Sequence, residues 1–403
     1  MDGTTRRKVL LVHPRPEAIG GAEAVAVHIL VWLISHHDME VTLLTSAPVD
    51  WKALEASAGC TLPLERIVNR VAWSPRFVSR LGASLTLLKL GFLHRAAKRC
   101  APGFDLCIGA HGEIDFGRPG LQYIHHPAFA PKRLLRQYRV LDRASVVDHV
   151  PLVEILYKAV IGLISGDRRR GFRRNITAVN SQFMKDFVRE VYGIEAHVVY
   201  PAFLQREAVG GLPWEERQLR FVALGRIAPD KGCMTLIDLF AQLSRRFPAA
   251  KFMMIGRSAD PSYEQRLRDY ARAQGVTLAL ESHAEHTEVR QTLARSMFFL
   301  HAKEYEHFGI AILEAIAAGC LTFVHDSGGQ TEIVRPAVLR YREPADLVRG
   351  VEMLLHDAKL REATAGELRV IAEEFLGRDF GKELERVLLP LWDQTWKGKQ
   401  RKL

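Results

Sequence analysis

Met297-Phe298-Phe299-Leu300-His301-Ala302-Lys303-Glu304-Tyr305-Glu306-His307-Phe308-Gly309-Ile310-Ala311-Ile312-Leu313-Glu314-Ala315 starts as an apolar run, crosses a charged loop and becomes apolar again at Gly309. The first part reads as a buried strand, Met297–His301, and the last as a helix from Gly309 to Ala318. Strand, loop and helix in that order form the repeating unit of a parallel sheet, and such sheets bind ligands outside the carboxyl ends of their strands. The loop marks both the fold class and the candidate site.

The alternation continues outward. Upstream lie strand Phe221–Leu224, helix Thr235–Arg246, strand Lys251–Ile255, helix Ser262–Gln274, strand Thr277–Glu281 and helix Thr287–Ser296; downstream lies strand Leu321–His325. In the first half, Lys8–His13, Val41–Thr45, Leu106–Ala110 and Leu121–His125 read as strands, and Ala22, Val25, Ala26, Ile29 and Leu33 carry helical spacing. A chain of 403 residues exceeds one ordinary core, so two domains of roughly 200 residues are expected. Pro201, Gly210, Gly211 and Pro213 break the periodicity between them. The expectation is an α/β chain of two doubly wound domains facing a cleft, 1–202 and 203–378.

Within the opening stretch, Glu306 falls in the loop and Glu314 about five residues into the helix, which separates them by roughly 7 to 8 Å along the axis. Between them, a helix N-terminus carrying Phe308, Gly309 and Ile310 favours an anion, and the carboxylates can accept hydroxyl hydrogen bonds. A diphosphate flanked by two sugars fits that layout, Glu306 toward a transferred sugar and Glu314 toward a ribose. The plainer alternative is a first-turn acid and a solvated helix residue. Against it, Glu314 lies among Ile310, Leu313, Ile316 and Ala317, where a buried charge needs a partner.

Gly225-Arg226-Ile227-Ala228-Pro229-Asp230-Lys231-Gly232 follows the first strand of the second half. Its two cations suit the charge that develops on a diphosphate leaving group; alone they also read as a solvated basic loop. Gly20-Gly21 joins the first strand to the first helix, where paired glycines let backbone approach a phosphate or sugar. His125 and His126 follow a strand of the first half, and periodicity does not say which faces inward. Asp326-Ser327-Gly328-Gly329 is a further strand-to-helix turn that fits the same anion site.

Composition bounds the alternatives. With 48% hydrophobic and 25% charged residues the chain is an ordinary globular one. Five scattered cysteines without a C-x-x-C pair suggest neither a disulfide framework nor zinc, and fit a reducing cytoplasmic setting without an export signal. No D-x-D pair stands ready to hold a metal on a diphosphate, and His283-Ala284-Glu285-His286 reads as loop, so no metal and no cofactor are expected. P-loop and nucleophile-elbow motifs are missing as well.

The formal charge of +10 is concentrated: residues 132–174 hold eleven Lys or Arg against four Asp or Glu, after and around the apolar stretch Leu152–Ser165. That stretch is shorter than the ~20 residues a spanning helix needs. Apolar helix plus arginine cluster reads as a segment lying on an anionic membrane face; the alternative is a core helix followed by a solvated loop. Without a recognition motif, no nucleic acid is expected as a partner.

Together, Gly20-Gly21-Ala22-Glu23, Gly225-Arg226 with Lys231-Gly232, and the glutamates Glu306 and Glu314 resemble the retaining GT-B glycosyltransferases of family four, in order and spacing. Tyr123-Ile124-His125-His126-Pro127, Glu306-His307-Phe308-Gly309-Ile310 and His325-Asp326-Ser327-Gly328-Gly329 are most similar to the branch containing the dolichol-linked oligosaccharide α-1,2-mannosyltransferase. The resemblance implies two Rossmann-like domains, with 379–403 as a helix crossing back to the first. It implies that Arg226 and Lys231 bind the diphosphate, Glu314 the ribose and Glu306 the transferred sugar, with His125 the cleft histidine.

It further implies a metal-independent hexosyltransferase that retains anomeric configuration. GDP-mannose is favoured over a UDP-sugar as donor and a glycan or lipid-linked molecule as acceptor, on the cytoplasmic face of a membrane. Two other readings are a cytosolic UDP-sugar transferase with a soluble acceptor, and a binding module without turnover. After Glu332-Ile333-Val334 the sequence runs through Arg335-Pro336-Ala337-Val338, without the Asp-Gly turn of the family.

Overall fold

In the computed structural model, the described residues are 6–17, 20–36, 39–58, 60–75, 78, 86–130, 159–167, 169–203, 212–258 and 260–400. They form two compact units. One holds the described residues up to Ala202 together with those from Asp379 onward, the other Phe203–Arg378.

The first unit carries a parallel sheet of seven strands, β1 (Arg7–Val12), β2 (Met39–Thr45), β3 (Ile67–Val71), β4 (Leu106–Gly109), β5 (Leu121–Ile124), β6 (Ile176–Val179) and β7 (His197–Val198), in the order β3-β2-β1-β4-β5-β6-β7. β1 shows why these residues make a central strand: Val9 and Leu11 enter one core and Leu10 and Val12 another, since alternate side chains point to opposite faces. Helix Gly21–Ser35 presents Val25, Ile29, Leu30 and Leu33 to the first core, joined there by Phe380, Leu384 and Leu388 of helix Phe380–Gln400. Leu90, Leu93 and Ala97 of helix Thr86–Cys100 cover the other face. A sheet buried on both sides needs apolar residues at every position, which is the pattern that made β1 legible.

The second unit has six parallel strands, β8 (Gln218–Leu224), β9 (Lys251–Ile255), β10 (Leu278–Glu281), β11 (Ser296–His301), β12 (Leu321–His325) and β13 (Arg340–Tyr341), ordered β10-β9-β8-β11-β12-β13. Phe252, Phe221, Phe298 and Phe323 line up across four neighbouring strands. Phe221 stacks on Phe298 at 4.9 Å and on Phe252 at 5.7 Å between ring centroids; such cross-strand pairs stabilise sheets beyond simple burial.

A buried arginine anchors the N-terminal rim of each sheet. Arg66, just before β3, donates to the carbonyls of Ile34 at 2.7 Å and Met39 at 3.0 Å and also to that of His36. Arg217, just before β8, donates to the carbonyls of Leu212, Ser296, Gly319 and Ala318 at 2.7 to 3.5 Å. Each satisfies carbonyls at element ends that would otherwise be buried without partners.

Most strands stand within a few residues of their expected spans. Three of the first sheet, β3, β6 and β7, were not expected, so Leu121–Ile124 is the fifth strand in chain order rather than the fourth. β13 and the helices Pro344–His356 and Ala358–Leu376 extend the second unit beyond the expected elements. Among the described residues no helix is long and apolar enough to cross a membrane. Of the basic segment 132–174, residues 132–158 and 168 lie outside the described residues, and with them the first half of the apolar stretch Leu152–Ser165.

Candidate functional site

In the second sheet, strand order reverses between β8 and β11, because β9 follows β8 on one side and β12 follows β11 on the other. Loops leaving such neighbours diverge to opposite faces and open a crevice at the strand ends. Arg226 and Lys231 leave the end of β8, and the segment Lys303–Gly309 leaves the end of β11.

Glu306 is the centre of this group. Its side chain is buried, and Oε2 lies 3.4 Å from Lys231 Nζ, 3.5 Å from His301 Nε2 and 3.8 Å from Lys303 Nζ. Oε1 accepts from the His307 amide at 3.0 Å. Burial by itself would raise this carboxyl, but Lys231, Lys303 and His301 outweigh it and hold the group well below the usual carboxylate range. Glu306 is therefore an ionised acceptor.

The turn after β12 fixes the Glu306 backbone. Gly329 N–H donates to the Glu306 carbonyl at 2.8 Å, and the Tyr305 amide donates to Ser327 Oγ at 2.9 Å. Tyr305 itself has φ 51°, a conformation uncommon for a non-glycine residue. Gln330 joins both loops, donating from one amide nitrogen to the carbonyls of Lys303 at 3.0 Å and His325 at 2.9 Å.

Gly309 precedes helix Ile310–Ala317 with φ 103°, which a side chain would oppose. The first-turn amides of that helix face the loop. Phe308 is buried and packs edge-on against Phe375 with centroids 5.7 Å apart. Its ring anchors the loop, so the part expected of Phe308 beside an anion falls to its backbone. Glu314 also differs from expectation: although most of its helix neighbours are buried, its own side chain is exposed, so no buried partner is required. Neighbouring protein raises its carboxyl through desolvation, and less than full burial would, because the side chain is exposed. Arg226 is exposed at the strand end and Lys231 half-buried.

The remaining expected residues belong to the first unit. Its sheet reverses between β1 and β4, and Gly20 caps helix Gly21–Ser35 after β1. Three histidines follow the ends of β1, β4 and β5. The rings of His13 and His111 meet at 5.4 Å, and His125 lies against Tyr123 at 4.5 Å. Burial lowers all three: His13 well below its ordinary value, helped by His111 and His125; His111 to about 4; and His125 to about 3, with His111 adding to the effect. His125 is the buried member of the His125-His126 pair and is a neutral imidazole at physiological pH.

The sequence thus led to Lys231, Glu306, Gly309 and Arg226 on one unit and to Gly20, Gly21 and His125 on the other. It missed His301, Lys303 and Gln330, as well as His13 and His111. A signal existed for the first two, which flank Ala302 at the very end of a recognised strand.

Comparisons with known proteins bear on this geometry. Residues 205–367 match the family described as Glycosyl transferases group 1. The GDP-Man:Man(3)GlcNAc(2)-PP-Dol alpha-1,2-mannosyltransferase of Xenopus laevis is 24% identical over 380 residues, covering 83% of this chain and 76% of that protein. Anabaena HepE in complex with UDP and glucose superposes with a TM-score of 0.64 at 16% identity, covering 96% of this chain and 99% of that one. WaaG, a glycosyltransferase of lipopolysaccharide biosynthesis, gives 0.64 at 14% identity, with 94% and 99% covered. The fold is GT-B.

Proposed function

We propose that this chain, a glycosyltransferase of group 1 type with the GT-B fold, moves a hexose from a nucleotide-diphosphate sugar to a glycan or lipid-linked acceptor with retention of configuration. GDP-mannose is the favoured donor. The observation that carries this reading is the ionised, buried Glu306 set beside Lys231 at the strand-order reversal between β8 and β11.

A carboxylate without a proton can only accept hydrogen bonds, so Glu306 is suited to sugar hydroxyls. Arg226 and Lys231 would take the diphosphate and stabilise its charge as the glycosidic bond breaks. The anion would also meet the amides that follow Gly309, with Glu314, exposed on the helix, open to the ribose. No metal is assigned a role. In a front-face reaction the departing phosphate oxygen accepts the acceptor's proton, so no protein nucleophile is needed. His125, kept neutral by burial, is read as a hydroxyl-binding group, and Gly20-Gly21 as a close backbone approach.

The choice of mannose, GDP and a lipid-linked acceptor rests on the relatives and on the basic-apolar segment, which also favours peripheral binding at the cytoplasmic face of a membrane. A thermal-shift series with GDP-mannose, UDP-glucose and ADP-glucose tests the donor: GDP-mannose should stabilise the protein most, and stabilisation by none would overturn the reading. Co-sedimentation with anionic vesicles at low salt tests the membrane; failure to bind would favour a soluble acceptor.

A further inference from the structure

Two lysines and a histidine converge on one oxygen of Glu306. Only Lys231 and Arg226 have been given a partner in the donor. At neutral pH the diphosphate of a nucleotide sugar is a diester with two negative charges, and those two cations match it. If Lys231 turns to the diphosphate, Glu306 loses a counter-ion inside a buried site, and an unpaired buried charge is strongly unfavourable. Something must hold the carboxylate when Lys231 leaves it.

We propose that Lys303 is a positioning residue that keeps Glu306 paired while Lys231 exchanges from Glu306 to the donor diphosphate. This inference rests on the donor-site reading given above.

The placement of Lys303 supports that role over direct binding of the anion. Its carbonyl is held at 3.0 Å by Gln330 Nε2, and its backbone packs on the turn that carries Lys231: a Cβ added to Gly232 would stand 3.8 Å from Lys303 Cα. Its side chain is only 16% exposed and that of Lys231 27%, so Lys231 is the more open of the two toward an arriving ligand. The charged and titratable groups paired with the Glu306 carboxylate are Lys231 from the loop after β8, His301 from the end of β11 and Lys303 from the loop after it. His301 lies 3.5 Å from the same oxygen, and Lys303 is the ammonium that remains beside it when Lys231 leaves.

The exchange predicts a coupling between donor binding and protonation of Glu306. In the wild type, the donor binds and Glu306 stays ionised. In Lys303→Met, either Lys231 stays with Glu306 and binding weakens, or Lys231 moves and Glu306 takes up a proton from solvent.

Calorimetric titration of the full chain with GDP-mannose and with UDP-glucose at pH 7, in two buffers of different ionisation enthalpy, reads affinity and proton uptake together. Lys303→Met should bind at least tenfold more weakly, or take up more protons than the wild type, and Lys303→Arg should restore wild-type behaviour. In a Glu306→Gln background, Lys303→Met should add no further change. Wild-type affinity with unchanged proton uptake in Lys303→Met would overturn the exchange. So would a loss that persists in the Glu306→Gln background, because Lys303 would then hold the anion itself. If the wild type binds neither sugar nucleotide, the donor-site reading fails before the variants are compared.

Discussion

Gly328, at φ 71°, lies so close to Glu306 that a Cβ there would come within 2.6 Å of the Glu306 carbonyl oxygen. A glycine on a different strand-end loop thus makes room for the Glu306 backbone. Gly328→Ala should push the Tyr305-Glu306 backbone away and strain its own turn, at about 1 to 3 kcal/mol for such a conformation. Transfer activity should fall at least tenfold with a modest drop in melting temperature, and an alanine variant with wild-type turnover would show that the loop has room.

Lys231→Ala and Glu306→Gln each remove a charged hydrogen-bonding partner. A charge-assisted bond contributes about 1.5 to 3 kcal/mol, so each variant should lose at least tenfold in kcat/KM. Rates of donor hydrolysis and sugar transfer, measured with saturating acceptor, decide it. Unchanged rates in both would remove the site from this position.

The same geometry says where Glu306 matters for stability. Its carboxyl is held below the ordinary range, so its contribution is complete above the unfolded-state value, about 4.3, and is lost as pH falls through the lower folded value. The melting-temperature difference between wild type and Glu306→Gln should be flat from pH 5 to 8 and shrink in stronger acid. A difference that grows in acid would contradict the ion pairing.

The buried histidines act in a window nearer neutrality. His111 at about 4 and His125 at about 3 stay neutral in the fold while an unfolded imidazole gains a proton below about 6.5. Their stabilisation is whole above that value and is lost progressively as pH falls toward 4 and below. A melting profile that declines from pH 6.5 to 4 in wild type, and less steeply in His111→Asn, is expected; identical slopes would show that His111 is not held neutral.

Arg66 tests the frame instead of the chemistry. Replacing it with alanine leaves the carbonyls of Ile34, His36 and Met39 without their shared donor, a loss of about 2 to 4 kcal/mol if each buried acceptor forfeits 1 or more. Denaturant midpoints should drop accordingly. A midpoint unchanged within error would mean that solvent replaces the guanidinium.

What could be read in advance followed burial. β9 and β12 have the spans expected for them, Lys251–Ile255 and Leu321–His325, because central parallel strands are apolar on both faces. β3 escaped because Ile67-Val68-Asn69-Arg70-Val71 is an edge strand with only Ile67 buried, so neither a continuous apolar run nor a clean alternation marks it. Glu306 was visible as one of two acids around a helix start, whereas Lys303 and Gln330 were not. Their part depends on which carboxylate or carbonyl a neighbouring loop brings near, and spacing along one loop carries no information about another. The exposure of Glu314 is hidden for a related reason: a short helix can be apolar on most sides and still turn one residue to solvent.

The two rim arginines give the molecule a division of labour. Arg66 and Arg217 hold the edges where strands begin, while Lys231, Glu306, the Gln330 bridge and the histidines gather where strands end. The guanidinium anchors and the candidate site thus stand on opposite margins of each sheet. Substitutions in the strand-end loops leave the Arg66 and Arg217 anchors untouched, so a laboratory testing the proposed sugar transfer would do well to randomise those loops and leave the opposite margin alone.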